Sequence, residues 1–123
     1  PSNAGALNNL GIVLHMRGEF GQALGVLRRA WEREPAGVES GVNLALVLRH
    51  LGQRGEARAV LARVLRMRER LPEGHLNLAG LLEEEWDRNG ALLHYRRFLE
   101  LTEHQRSLLR DQVKERMAAL ASP

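Results

Sequence analysis

The chain has no cysteine among its 123 residues, which removes disulfide frameworks and thiolate metal sites together. Aromatic residues supply only 4% of it. A core must therefore be filled by Leu, Val and Ala, a mixture that suits helices better than sheets. No apolar run reaches the roughly 18 residues that read as a membrane span. Lysine is nearly missing: Lys114 is the only one among 18 basic residues, and the formal charge of +3 is small. The sequence has no Gly-rich phosphate loop and no nucleophile elbow. Its five histidines (15, 50, 75, 94 and 104) form no i, i+4 pair, and the Glu83-Glu84-Glu85 run reads as a solvated helix end. Catalysis is not expected, nor is a cofactor or a metal. The first residue is Pro1 rather than methionine. That reads as a fragment or processed form, so the lack of a visible signal says nothing about compartment.

What the chain does have is a period. Leu10-Gly11 returns as Leu44-Ala45 and as Leu78-Ala79, Ala23 as Ala57 and Ala91, and Leu27 as Leu61 and Tyr95, each step being 34 residues. A fixed period of this length marks a stacked repeat. Within the first unit, Leu7, Leu10, Gly11 and Leu14 make one helical stripe. Gly18 ends that helix, Phe20, Ala23, Leu24, Leu27 and Ala30 make a second stripe, and Pro35 stops it. Pro1 stands 34 residues earlier, where a preceding unit's proline would fall.

The second unit carries Leu44, Ala45 and Leu48, a closing Gly52, then Ala57, Leu61, Val64 and Leu65. Its second helix is expected to run to about Arg70, with Pro72 as the stop. In the third unit Trp86 takes the place of Gly18 and Gly52, and Asn89-Gly90 is expected to supply the bend. Thr102 with Gln105 reads as a capping box opening a seventh helix striped by Leu109, Val113, Met117 and Leu120. Such a helix is suited to cover the end of a solenoid.

These residues resemble the tetratricopeptide repeat, whose 34-residue period and small-residue positions they share. The match runs from Ala4 to about Thr102, with repeats at 4–37, 38–71 and 72–102 and a capping helix at 103–120. The later repeats depart at Gly41 and His75, where a large apolar residue is usual. They depart again at Val64 and Phe98, where alanine is usual, and larger side chains there are expected to loosen packing between units. The resemblance implies an all-α solenoid, a right-handed superhelix of three antiparallel helix pairs and a capping helix. Its first helices would line a concave groove.

The residues expected to face that groove are Asn8, Asn9, Ile12, His15 and Met16 in the first unit. The second unit offers Val42, Asn43, Leu46, Arg49 and His50, and the third Leu76, Asn77 and Glu83. Asn9, Asn43 and Asn77 are themselves 34 apart. A carboxamide offers donor and acceptor together, and several groove-binding members of the family hold a peptide's backbone with such a column. His15 and His50 are placed to approach each other. Carboxylate-clamping members need basic residues where this chain has Asn8, Glu73 and Asn77, so a clamp on a chaperone tail is not expected.

The expected function is a non-catalytic scaffold binding an extended segment of a partner protein. Two alternatives remain open. One is a docking fragment of a larger bacterial enzyme or of a secretion or motility assembly. The other is contact with nucleic acid or an acidic surface through Arg29, Arg63 and Arg97, with Arg58, Arg66 and Arg70 beside them. Aromatic residues for base stacking are missing from that strip, and a solvated outer face is the expected reading. Val13 and its apolar neighbours, if uncovered, favour self-association through the first repeat.

Overall fold

A computed structural model describes residues 3–123, so the placement of Pro1 lies outside it. The described residues form seven α-helices and no strand. They divide into two compact bodies, the first ending at Glu69 and the second running from Arg70 to Pro123. The first body contains α1 (Ala4–Met16), α2 (Phe20–Arg33), α3 (Val38–His50) and α4 (Arg54–Met67). The second contains α5 (Pro72–Glu84), α6 (Arg88–Leu101) and α7 (Leu108–Ala121). The fold is an all-α helical repeat.

In the first body α1 pairs with α2 and α3 with α4, and α3 also lies against α2 and α1. The 34-residue register explains the pairing. Leu7, Leu27, Leu44, Leu48 and Leu61 are fully buried, with Ala23, Ala45 and Ala57 between them. Gly11 lets α2 seat closely on α1: a Cβ there would meet the Leu27 side chain at 2.4 Å. Gly41 does the same for α3, where a Cβ would fall 2.5 Å from Trp31 and 2.7 Å from Val64. Gly41 leaves a volume that Val64 and Trp31, both buried, occupy.

Leu10 departs from the expected core stripe. It is 43% exposed, whereas Leu44 at the same register is 2% exposed. The cause is neighbourhood: α3 rests on α2, and no described element covers α1 on the corresponding side.

In the second body α5 pairs with α6, and α7 packs on α6. Ala79, Leu81 and Ala91 are fully buried, and Val113 anchors α7. Three local readings are corrected here. α4 ends at Met67 rather than near Arg70, and Pro72 does not stop a helix but begins α5. Proline fits a first turn because the N–H it lacks would be unpaired there anyway. Thr102 does not cap α7. It is buried at the end of α6, its hydroxyl donates to the Phe98 carbonyl at 2.8 Å, and it accepts from Arg110. Ser107 is the true N-cap, accepting the Arg110 N–H at 3.2 Å, so α7 begins five residues beyond the expected 103.

The helix-ending turns share one geometry. After α1 the Gly18 N–H donates to His15 and the Glu19 N–H to Leu14; after α3 Gly52 and Gln53 repeat this on Arg49 and Leu48. This double closure requires a left-handed residue, usually glycine, and Gly18 and Gly52 have φ of 77° and 79°. After α5 the same bonds run from Trp86 to Glu83 and from Asp87 to Leu82, and Trp86 has φ 64°. The bend is thus made by Trp86 itself. Asn89 and Gly90 lie inside α6, whose start Asp87 caps through the Gly90 N–H at 2.9 Å.

Candidate functional site

Because α1 and α3 lie side by side in the first body, residues 35 apart in sequence meet across them. Asn43 Nδ2 donates to Asn8 Oδ1 at 3.1 Å. About two turns further on, the His15 and His50 ring centres stand 5.1 Å apart, and Phe20 stacks on His50 at 4.8 Å with an interplanar angle of 7°. Phe20 also lies 5.6 Å from His15. The three rings make an aromatic shelf at the C-terminal ends of α1 and α3. Burial lowers the pKa of His15, and nearby His50 adds to the effect. Neutral imidazole is favoured there, leaving ring faces that can take an apolar group.

The other expected residues of this body are distributed along the same two helices. Ile12, Leu46 and Arg49 are half-buried, and Asn9 and Met16 are exposed. Val42 is not available: only 8% of it is exposed, and it belongs to the core. Asn43 uses one amide hydrogen on Asn8. A carboxamide has two donors and two lone pairs, so capacity for a ligand remains.

In the second body Leu76 and Asn77 are half-buried on α5. Asn77 Nδ2 donates to the Glu73 carbonyl at 2.8 Å within its own helix. Glu83 is committed: its carboxylate accepts from the Tyr95 hydroxyl at 2.8 Å and pairs with Arg116 of α7. The hydrogen bond that Arg116 donates to Glu83 raises its already high pKa. That sets Glu83 apart from the other groove candidates, since it ties α5 to α6 and α7.

Two arrangements escaped the sequence. His75 is buried, and its Nδ1 lies 3.0 Å from Nδ1 of His94, with the rings stacked. Trp86 is 92% exposed. Neither carries a motif, because one depends on the α5–α6 pairing and the other on a turn geometry that normally selects glycine. Among the described residues no group of three or more His, Asp or Glu side chains is placed to hold a metal ion.

The arginine column is partly engaged. The Arg63 guanidinium lies 5.1 Å from the centre of the Trp31 ring, and Arg97 pairs with Glu100 at 3.4 Å. Arg28 and Glu56 link α2 to α4 through the two terminal guanidinium nitrogens, at 3.0 and 2.8 Å. Among the described residues no helix is long and apolar enough to cross a membrane.

A family model described as tetratricopeptide repeat matches residues 14–76. No curated protein matches the chain by sequence. Among solved structures, the chain is similar to the type III secretion chaperone SycD of Yersinia enterocolitica in complex with a peptide of the translocator YopD. That match has 16% identity, covers 94% of this chain and 90% of that one, and gives a TM-score of 0.88. PcrH in complex with the chaperone-binding region of PopD matches with 16% identity, 94% and 89% coverage and a TM-score of 0.86; PcrH comes from Pseudomonas aeruginosa. The first tetratricopeptide domain of Spaghetti (RPAP3), bound to an HSP90 peptide, matches with 18% identity, 99% and 97% coverage and a TM-score of 0.85.

Proposed function

The chain belongs to the tetratricopeptide repeat family, and from that premise we propose that it is a scaffold holding an extended segment of a partner protein along α1 and α3. The observation that carries the reading is the side-by-side placement of Asn8 and Asn43 with the His15–Phe20–His50 shelf. Carboxamides suit a peptide backbone, and ring faces suit an apolar side chain. Ile12, Met16 and Leu46 add apolar contact along the same row. SycD, PcrH and the Spaghetti domain, which share this fold, are each described with a peptide or binding region of another protein.

Magnitudes place the site among modest binders. Each net hydrogen bond contributes roughly 0.5–1.5 kcal/mol, so the asparagines alone cannot hold a ligand tightly. Apolar contact with the shelf must supply much of the affinity. The basic residues of a carboxylate clamp are replaced by Asn8, Glu73 and Asn77, so the proposed occupant is an internal segment rather than a free C-terminus. A docking role inside a larger secretion or motility assembly is compatible with the same site.

A random-peptide display selection on the full chain tests this. Peptides enriched by the native chain should be lost from an Asn9→Ala/Asn43→Ala variant and from His50→Ala. Asn77→Ala, in the second body, is tested separately. Retention of the same peptides by all three variants would remove the groove reading.

A second reading rests on a separate observation. Leu10 and Val13 are 43% and 50% exposed, although Leu44 and Val47 at the same register are buried. This face of α1 is proposed to meet a second copy of the chain.

A further inference from the structure

Trp86 is expensive where it stands. A left-handed backbone crowds the Cβ of any residue that has one, and Gly18 and Gly52 avoid that crowding at the same point of the other two repeats. Large side chains usually compensate for strain by packing, but 92% of Trp86 is exposed. The indole therefore contributes little to the fold that carries it. Strained residues that the fold does not need are a sign of function, and tryptophan is among the side chains most often found as binding anchors.

The indole does not stand alone. α7 rests on α6 and reaches α5 through the Arg116–Glu83 pair. The space between holds a cleft of about 360 Å³ lined by Glu83, Glu84, Trp86, Arg88, Arg116 and Leu120. That volume lies in the range of small-ligand sites, roughly 300–1,000 Å³. Trp86 and Leu120 give it apolar walls. Its charges are not balanced in what they leave free. Glu83 is held by Tyr95 and Arg116, and Glu84 also has a partner within the protein. Arg88 is exposed and has no carboxylate partner among the described residues, while Arg116 keeps 60% of its side chain exposed beyond its contact with Glu83. The open capacity is for an anion beside an apolar surface. The Glu83 and Glu84 carboxylates in the lining disfavour a dense polyphosphate backbone, so a peptide fits better than a nucleic acid.

We propose that the cleft between the α5–α6 turn and α7 is a second binding site, taking a peptide segment in which a large apolar side chain neighbours an acidic one. The apolar side chain lies against Trp86 and Leu120, and the carboxylate meets Arg88 with the outer edge of Arg116. The site lies within the second body and shares no residue with the row on α1 and α3.

The test uses the full chain and two sets of synthetic peptides, one combining Leu or Phe with Asp or Glu, the other with lysine in place of the acid. Binding is read by titration calorimetry and by tryptophan emission. The acidic set should bind, weakening about tenfold or more in Trp86→Gly and in Arg88→Glu, and remaining unchanged in Asn9→Ala/Asn43→Ala. Trp86→Gly is informative because it restores the residue used at the other two turns: its melting temperature should equal or exceed that of the native chain. Equal binding by Trp86→Gly and the native chain would overturn the proposal, as would preference for the lysine set. Tighter binding of a single-stranded RNA oligonucleotide than of any peptide would overturn it too. So would indole shielding that follows protein concentration alone, which would assign the cleft to self-association.

Discussion

At the scale of single residues, Gly41 and Val64 show how two departures from a repeat pattern can be one substitution seen from both sides. Each looks unfavourable in isolation, since glycine empties a core position and valine crowds an alanine position. Together with Trp31 they fill one volume, as the 2.5 and 2.7 Å approaches to a Cβ at Gly41 indicate. Gly41→Ala should therefore destabilise the chain by about 1–3 kcal/mol through overpacking, despite alanine's better helix propensity. Adding Val64→Ala should recover part of that loss, and urea unfolding of the two single variants and the double variant measures the coupling. Additive losses would show that the two residues do not share a space. The sequence marks both positions as unusual but cannot pair them, because the partner depends on how α3 seats against α2 and α4. Trp86 is the same kind of case: its register with Gly18 and Gly52 is visible in the sequence, but its left-handed backbone and exposed indole are not.

At the scale of helices, most of the architecture is legible because the 34-residue period repeats the stripes that bury against each other. The misplaced boundaries have local causes. Thr102 and Gln105 imitate a capping box, but the Thr102 hydroxyl bonds back to Phe98, and the cap falls to Ser107. The α5–α6 pair carries a feature that no stripe announces, the contact between His75 and His94. An Nδ1···Nδ1 distance of 3.0 Å requires one ring to donate and the other to accept, which doubly protonated rings cannot do. Burial lowers the pKa of His94, and His75 lowers it further, while Asp87 acts in the opposite direction. The native chain then binds this proton less readily than the unfolded chain does. Stability is fully present above about pH 6.5, the unfolded value, and falls as pH drops through it towards the lowered native value. His15 contributes with the same sign. Thermal unfolding followed from about pH 7.5 to about pH 5.5 should show this loss. His94→Phe should flatten it in part and His15→Phe in a further part. An unchanged slope in His94→Phe would mean that the pair does not carry the dependence.

At the scale of the whole chain, the repeat gives an internal control for what a covered helix face looks like. Leu44 and Val47 on α3 are 2% and 0% exposed, and Leu78 and Leu81 on α5 are 7% and 0%. Their counterparts Leu10 and Val13 on α1 have the same chemistry and are about half exposed, with Met16 beyond them at 80%. Burying one Leu or Val side chain is worth roughly 1.5–3 kcal/mol, so two such residues on each of two chains offer a driving force without any new polar contact. The cost of association is of similar size or larger, which places a dimer through this face in the weak range and makes it concentration-dependent. Sedimentation velocity over a concentration series should show the native chain shifting towards a dimer, and Leu10→Asp/Val13→Asp should remain monomeric with its helical circular dichroism intact. The same variant should still bind peptides selected on the α1–α3 row, because Asn8, Ile12 and His15 take part in that row and are untouched. If it stays folded but loses those peptides, the exposed face and the peptide row are one surface. The partner segment, rather than a second copy, would then be what covers Leu10 and Val13.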